Sequence, residues 1–147
     1  MMKKKPKLKE LAPPEGAKGR KPADRWTLAL VKEGFTPVSN FFLAHYHDLK
    51  PEITHGEAML IIQLMSFKWD ADMPYPSYKT LAKRMLLKDA QARSLARGLE
   101  RKRYLHRHVR INMPNLFDLK PLFGALEKLR SERIAEETAA GKKGAVR

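Results

Sequence analysis

The chain has 147 residues, of which 43% are hydrophobic and none is cysteine, and its formal net charge is +14. This length is typical of one domain with tails, and the lack of cysteine excludes a disulfide framework and a thiolate zinc site. No apolar run approaches the roughly 20 residues that a membrane span needs, and the basic N-terminus lacks the following apolar stretch of a secretory signal.

The positive charge is concentrated in one segment. Residues 76–110 contain eleven Lys or Arg and only two acids, Asp89 and Glu100, whereas residues 26–75 carry a net charge of −3. Such a concentration of like charge is costly unless a polyanion lies against it, and DNA phosphates bind Lys and Arg with release of counterions. One basic face on an acidic or neutral scaffold favours directed nucleic-acid binding.

The first 31 residues are predicted to lie outside the helical part of the fold. Residues 1–25 hold nine basic groups, four prolines and few large apolar side chains, which predicts a disordered, flexible basic tail. This tail either solubilises the protein or adds phosphate contacts. Residues 26–31 fit a short strand or an extended segment, after which Gly34 and Pro37 break the chain.

Two helices are predicted next. Ser39 or Asn40 caps a first helix that runs to about residue 49. Thr54 and Glu57 have the spacing of a capping box, which opens a second helix that runs to about residue 67. Apolar residues cover most of the circumference of this second helix, so it is predicted to be the central buried one.

Two further helices and a hairpin are predicted in the basic segment. Ser77 caps a third helix over residues 78–86, and a fourth starts at Lys88 or Asp89 and runs to about residue 102. Residues 104–109 alternate like a strand, and residues 116–119 are predicted to pair with them across a short loop.

A last helix is predicted from Pro121, and residues 131–147 are predicted to hold the end of this helix and a polar tail. Leu122, Leu126 and Leu129 form one apolar stripe on this helix. The stripe either packs on the protein's own core or forms a homodimer contact. A homodimer would suit a palindromic DNA site with half-sites about one helical turn apart.

The order of third helix, turn, fourth helix and hairpin is that of a winged helix-turn-helix. The segments Tyr75-Pro-Ser-Tyr-Lys-Thr-Leu-Ala82, Gln91-Ala-Arg-Ser-Leu-Ala-Arg-Gly-Leu-Glu100 and Tyr104-Leu-His-Arg107 resemble winged-helix bacterial regulators and the winged-helix domains of plasmid and phage replication initiators. Residues 34–40 are similar to the lead-in to the first helix of that group, and residues 115–123 to the segment that closes its wing.

This resemblance covers about residues 34–125. It implies a mainly α (α+β) fold of four to five helices with a small β-hairpin wing, and a DNA-binding domain over residues 26–130. The chain departs from the family at the turn. Leu86 and Leu87 replace the usual glycine, and Lys88 replaces the usual Ser or Thr cap, which leaves Asp89 as an alternative cap.

The helical period places four polar residues outward on the fourth helix, because Ala92, Leu95, Ala96 and Leu99 occupy the opposite face. In the major groove Arg reads guanine and Gln reads adenine through paired hydrogen bonds. The predicted base contacts are therefore Gln91, Arg93, Ser94 and Arg97, where Ser94 serves either a base or a phosphate. The alternative is that these side chains only solvate an exposed helix.

Phosphate contacts are predicted around this face, because the third helix of such a motif crosses the DNA backbone. The candidates are Ser77, Tyr78, Lys79, Lys83, Lys88 and Arg101. Tyr78 could instead belong to the core, and Arg101 could cover a helix end. Arg107, His108 and Arg110 are predicted wing residues, and the last two lie near the tip, where they could enter the minor groove.

The predicted function is sequence-specific binding of double-stranded DNA, in transcription regulation or in plasmid or phage replication control. The expected location is the cytoplasm, on the nucleoid or on plasmid DNA. No catalytic set is evident, so an enzyme is not expected, and the pairs His45/His47 and His106/His108 lack a third ligand, so neither metal nor cofactor is expected. The alternatives are a protein-interaction module in a replication or conjugation complex, and nonspecific nucleic-acid or RNA binding.

Overall fold

The computed structural model of the protein describes residues 5–16 and 21–145. The described residues form eight helices and one antiparallel pair of strands. These elements are α1 (Leu8–Leu11), α2 (Pro22–Arg25), α3 (Leu28–Val31), α4 (Asn40–His45), α5 (His55–Met65), α6 (Tyr78–Met85), α7 (Asp89–Arg101), β1 (His106–Arg110), β2 (Met113–Asp118) and α8 (Lys120–Ala145). The predicted mainly α winged-helix fold is confirmed, with three additional one-turn helices before residue 32.

The core forms around α5, as predicted. Leu60 and Leu64 of this helix are buried in one cluster with Leu81 of α6, Leu99 of α7 and Phe117 of β2. Fully burying a side chain of this size contributes roughly 1.5–3 kcal/mol. The cluster therefore holds the helix-turn-helix and the wing on one support.

Local hydrogen bonds set where three of the helices begin. The Ser39 hydroxyl accepts from the Phe42 amide, and the Ser77 hydroxyl accepts from the Thr80 amide. The capping box at α5 is complete, because Thr54 Oγ1 accepts from the Glu57 amide at 3.2 Å and Glu57 Oε1 accepts from the Thr54 amide at 3.0 Å. The starts predicted from these caps are confirmed.

The turn between α6 and α7 is closed by a leucine in a left-handed conformation. Leu86 has φ 53° and ψ 44°, where glycine normally spares the cost of about 1–2 kcal/mol that a Cβ incurs. The Leu87 amide donates to the Ala82 carbonyl at 2.9 Å and ends α6. Lys88 is the N-cap of α7, so the alternative prediction of Asp89 as the cap is wrong.

The segment before α4 differs from its prediction. Residues 28–31 form a helical turn instead of a strand, because Thr27 Oγ1 accepts from the Leu30 amide at 3.2 Å and caps it. The described part of the predicted disordered tail contains α1 and α2. There the Leu11 carbonyl accepts from Asn40 Nδ2 at 2.6 Å, and the Leu8 amide donates to Glu137 of α8. Residues 1–4 and 17–20 of that prediction lie outside the described residues.

Helix α8 runs unbroken to Ala145, so it extends through most of the segment that was predicted to hold the helix end and a polar tail. Residues 146–147 of that segment lie outside the described residues. Leu122 is buried in the core cluster, and Leu126 and Leu129 are partly buried against it. The stripe thus packs on its own core, the first of its two predicted uses. No described helix combines the length and the apolar character that crossing a membrane requires.

Candidate nucleic-acid interface

The position of α7 is fixed by a close contact with α5 at Gly98. A Cβ at this glycine would lie 2.6 Å from Glu57 Oε2. Glu57 is only 4% exposed, and its Oε1 accepts from Lys102 Nζ at 2.6 Å. Lys102 Nζ also donates to the Glu52 carbonyl at 2.8 Å. One end of α7 is therefore tied to the start of the central helix, a role for Gly98 and Lys102 that the sequence did not reveal.

The opposite face of α7 is free. Ala92, Ala96 and Leu99 are buried, while the four predicted base contacts, Gln91, Arg93, Ser94 and Arg97, are all exposed. The helical period thus placed these side chains correctly. Contact with DNA bases stays a prediction.

Two of these side chains have additional local contacts. Gln91 Oε1 accepts from the Lys88 amide at 2.9 Å and caps α7, which leaves its amide group exposed as a donor. The Arg93 guanidinium lies 5.2 Å from the centre of the Tyr78 ring, a cation–π contact worth about 0.5–1 kcal/mol when exposed. Both contacts orient polar groups at the start of α7.

The predicted phosphate contacts divide into free cations and structural groups. Lys79, Lys83, Lys88 and Arg101 are exposed. Ser77 is half-buried, and its hydroxyl is occupied by the Thr80 amide and the Thr80 hydroxyl. The predicted capping role of Ser77 is thus confirmed, and its contact with a phosphate stays a prediction.

Tyr78 and Arg107 join the wing to the helix-turn-helix. The Tyr78 hydroxyl accepts from Arg107 Nη1 at 3.0 Å and lies 3.4 Å from Asn115 Nδ2, and its ring packs edge-on against Phe117. Arg107 Nε donates to Glu100 of α7. This hydrogen bond raises the pKa of Arg107 above its ordinary value, against the opposing effect of burial. Both side chains face the protein, which agrees with the alternative prediction that Tyr78 belongs to the core, and Arg107 lies in the wing as predicted.

The wing exposes His108, as predicted, but not Arg110, and its tip is apolar. His106 and His108 lie on one face with their rings 4.5 Å apart, and His108 is exposed. Arg110 is half-buried, and its Nε donates to the Pro114 carbonyl at 2.8 Å, so it folds back along the hairpin instead of extending from the tip. The tip carries Val109, Ile111 and Met113, which are 79%, 89% and 56% exposed.

The histidines have local partners. His45 is buried, with its Nδ1 2.8 Å from Asp48 Oδ2, and the wing histidines contact each other. Within residues 5–16 and 21–142, no group of three or more His, Asp or Glu is arranged to hold a metal ion.

Comparison with known proteins agrees with this architecture. Residues 52–105 match the family model of the helix-turn-helix domain, which covers α5, α6 and α7. The chain is also similar in structure to the N-terminal domain of the DnaD protein from Geobacillus kaustophilus HTA426. The two share 23% identity, with a TM-score of 0.59 over 78% of this chain and 96% of that chain. No curated protein sequence matches the chain. The predicted helix-turn-helix resemblance is therefore confirmed.

Proposed function

We propose that the chain binds double-stranded DNA sequence-specifically by placing α7 in the major groove, and that it acts by binding and not as an enzyme. The observation that carries the proposal is the two-sided character of α7. Its inner face is fixed to α5 at Gly98, while Arg93, Ser94 and Arg97 project from the other side. A helix fits the major groove, where arginine forks read guanine edges.

The exposed lysines of the motif supply the sequence-independent part of binding. Lys79 and Lys83 lie on α6, Lys88 precedes α7, and Arg101 ends it. Such side chains fix the register of a protein on the duplex through phosphates, while groove contacts select the sequence. The helix-turn-helix match supports DNA as the partner. Occupancy of a site by this protein would control transcription, or replication of a plasmid, phage or chromosome, on the nucleoid or on plasmid DNA.

Selection from a random duplex library at about 0.15 M ionic strength, followed by sequencing, tests the proposal. We expect one enriched motif, and Arg97→Ala should weaken it by about 1–3 kcal/mol and relax one base position. Lys79→Ala should weaken the selected and a scrambled duplex alike. Arg130→Ala, a matched loss of charge on exposed α8, should change neither. Equal affinity for unrelated duplexes and for structured RNA would favour the nonspecific alternative.

A protein-interaction module is the second candidate, because large apolar side chains are exposed around α3. Trp26, Leu28 and Phe35 lie there in solvent, and Trp69 lies near Gly34. Exposed apolar groups in such number mark interaction surfaces. This candidate predicts weak DNA binding and a stoichiometric protein partner in a pull-down that Trp26→Ser abolishes. A pull-down without such a partner, together with a clear DNA footprint, would reject it.

A further inference from the structure

The tip of the wing is apolar although its stem is basic. Val109, Ile111 and Met113 are mostly exposed at the turn, whereas residues 101–117 contain five Lys or Arg, two His and no acid. Single exposed apolar residues are ordinary, but three on one hairpin end form a patch, and patches mark contact sites. Lys102 and Arg107 of this segment are paired with Glu57 and Glu100, but Arg101, Arg103, His106 and His108 are exposed. The charge that remains around the patch points to a polyanion as the molecule that it meets.

An irregularity in the hairpin creates this tip. His108 pairs with Leu116 and Arg110 pairs with Met113, so the register shifts at Val109. The extra residue lies on β2, where Pro114 and Asn115 together face Val109 alone. A bulge bends and twists a hairpin locally, and Val109 is exposed like the preceding His108 instead of alternating inward. Asn112 adopts φ 56° and closes the turn beside Ile111. The backbone is thus shaped to present apolar side chains.

The cation nearest the tip is directed away from it. Arg110 donates to the Pro114 carbonyl at 2.8 Å, and its guanidinium lies 5.6 Å from the centre of the Tyr75 ring. The most exposed side chain of the tip is Ile111.

We propose that Val109, Ile111 and Met113 form a wedge that enters the DNA minor groove and kinks the duplex by partly unstacking a base step. Apolar side chains of this size do so in minor-groove proteins, where the unstacking cost is offset by the larger contact that bent DNA makes. The wedge rests on the proposed function, since it needs DNA bound along α7. It adds a bend, which α7 alone does not require.

The wing is braced for this use. Arg107 joins β1 to Glu100 of α7 and to Tyr78 of α6, and Arg93 of the exposed α7 face lies against the same Tyr78 ring. Tyr78 therefore contacts both the base of the wing and the start of the exposed α7 face, and this set of contacts is called the wing joint. These contacts hold the hairpin in a fixed position relative to α7.

The test measures bending of a duplex of about four helical turns with central T-A steps, which are easily kinked, and with a fluorescent dye at each end. We expect the wild-type protein to raise energy transfer between the dyes, as a kink of roughly 20–90° would. The double variant Val109→Ser/Ile111→Ser should bind about tenfold more weakly, keep the salt dependence of wild type and leave the duplex straight. Ile134→Ser, at an exposed position on α8, is the matched control and should bend DNA like wild type.

A second variant separates the wedge from general attraction. Ile111→Lys adds a cation at a position that is 89% exposed, so it should bind at least as tightly as wild type at low salt and yet lose the bend. If wild type binds the duplex without bending it, or if either tip variant still bends it, the wedge is overturned and the proposed function is not. Variants that bind and bend DNA normally but lose self-association would assign the tip to protein contact instead. Absence of any DNA binding by wild type would overturn the proposed function and the wedge together.

Discussion

Lys102 and Arg101 are adjacent cations for which the structure predicts opposite roles. Lys102 Nζ donates to Glu57 Oε1 at 2.6 Å and to the Glu52 carbonyl at 2.8 Å, whereas Arg101 is exposed. Replacing Lys102 by Met keeps the apolar stem and removes the ammonium group. The Glu57 carboxylate would then be a buried charge that keeps only the Thr54 amide as a partner.

The magnitude follows from the burial of this pair. Removing one partner of a buried ion pair costs about 3–5 kcal/mol. Because the Lys102 side chain is 24% exposed, water can partly replace it, and we expect Lys102→Met to lower the free energy of unfolding by about 2–3 kcal/mol. Arg101→Met, the matched control, should change it by less than about 0.5 kcal/mol. Urea unfolding of both variants measures the difference.

In DNA binding we expect the opposite ranking, with a larger effect of replacing Arg101 than of replacing Lys102. Arg101→Met should reduce the slope of log affinity against log salt by about one phosphate contact. Lys102→Met should leave that slope unchanged, because its ammonium is already occupied by Glu57. If Lys102→Met were as stable as wild type and reduced the slope, Lys102 would be a DNA contact and the reasoning would be refuted.

Three further predictions concern the wing joint, the turn and a buried carboxylate. Arg107→Met should lower the free energy of unfolding by about 2 kcal/mol, since it removes charged hydrogen bonds, and should speed amide exchange in β1 and β2; unchanged exchange would contradict the joint. Leu86→Gly should raise the free energy of unfolding by about 1 kcal/mol in urea, because it relieves the left-handed leucine; a loss of stability would argue against that strain. Burial alone would raise the pKa of Asp48, but hydrogen bonds from His45 and Lys5 outweigh it and lower the pKa below 3.8. Asp48 therefore stabilises the fold above pH 3.8, and this stabilisation is lost as the pH falls through the lower folded-state pKa. Asp48→Asn should be less stable than wild type at neutral pH, with a deficit in Tm that shrinks in acid; a constant deficit would show that the charge of Asp48 is not the cause.

Features set by neighbouring residues were predictable from the sequence. The caps at Ser39, Thr54 and Ser77 act within three residues, so they located the starts of α4, α5 and α6. The helical period likewise placed Arg93 and Arg97 outward on α7. These local rules located the helices and the exposed face of the candidate site, and the resemblance to winged-helix proteins supplied the fold.

Features set by distant partners were not predictable. Arg107 turns inward because Glu100 and Tyr78, seven and 29 residues away, accept from it. Strand alternation predicts that the side chain of residue 107 lies on the opposite face of β1 from those of residues 106 and 108. It does not predict which of the two faces packs on α7. Residues 28–31 were misassigned because four apolar residues are too few to show a period. The apolar wing tip lies beside a bulge in β2, where Pro114 and Asn115 face Val109, and no local pattern marks this bulge.

The absence of a side chain at Gly98 has a consequence for how this protein could change its target. With Glu57 filling the space that a Cβ would need, α7 has little freedom to roll or slide on the scaffold. A new DNA sequence preference would then arise from substitutions of the exposed residues at positions 93, 94 and 97, while the position of α7 on α5 stays the same. Altered preference and retained stability should accordingly be separable in engineered variants.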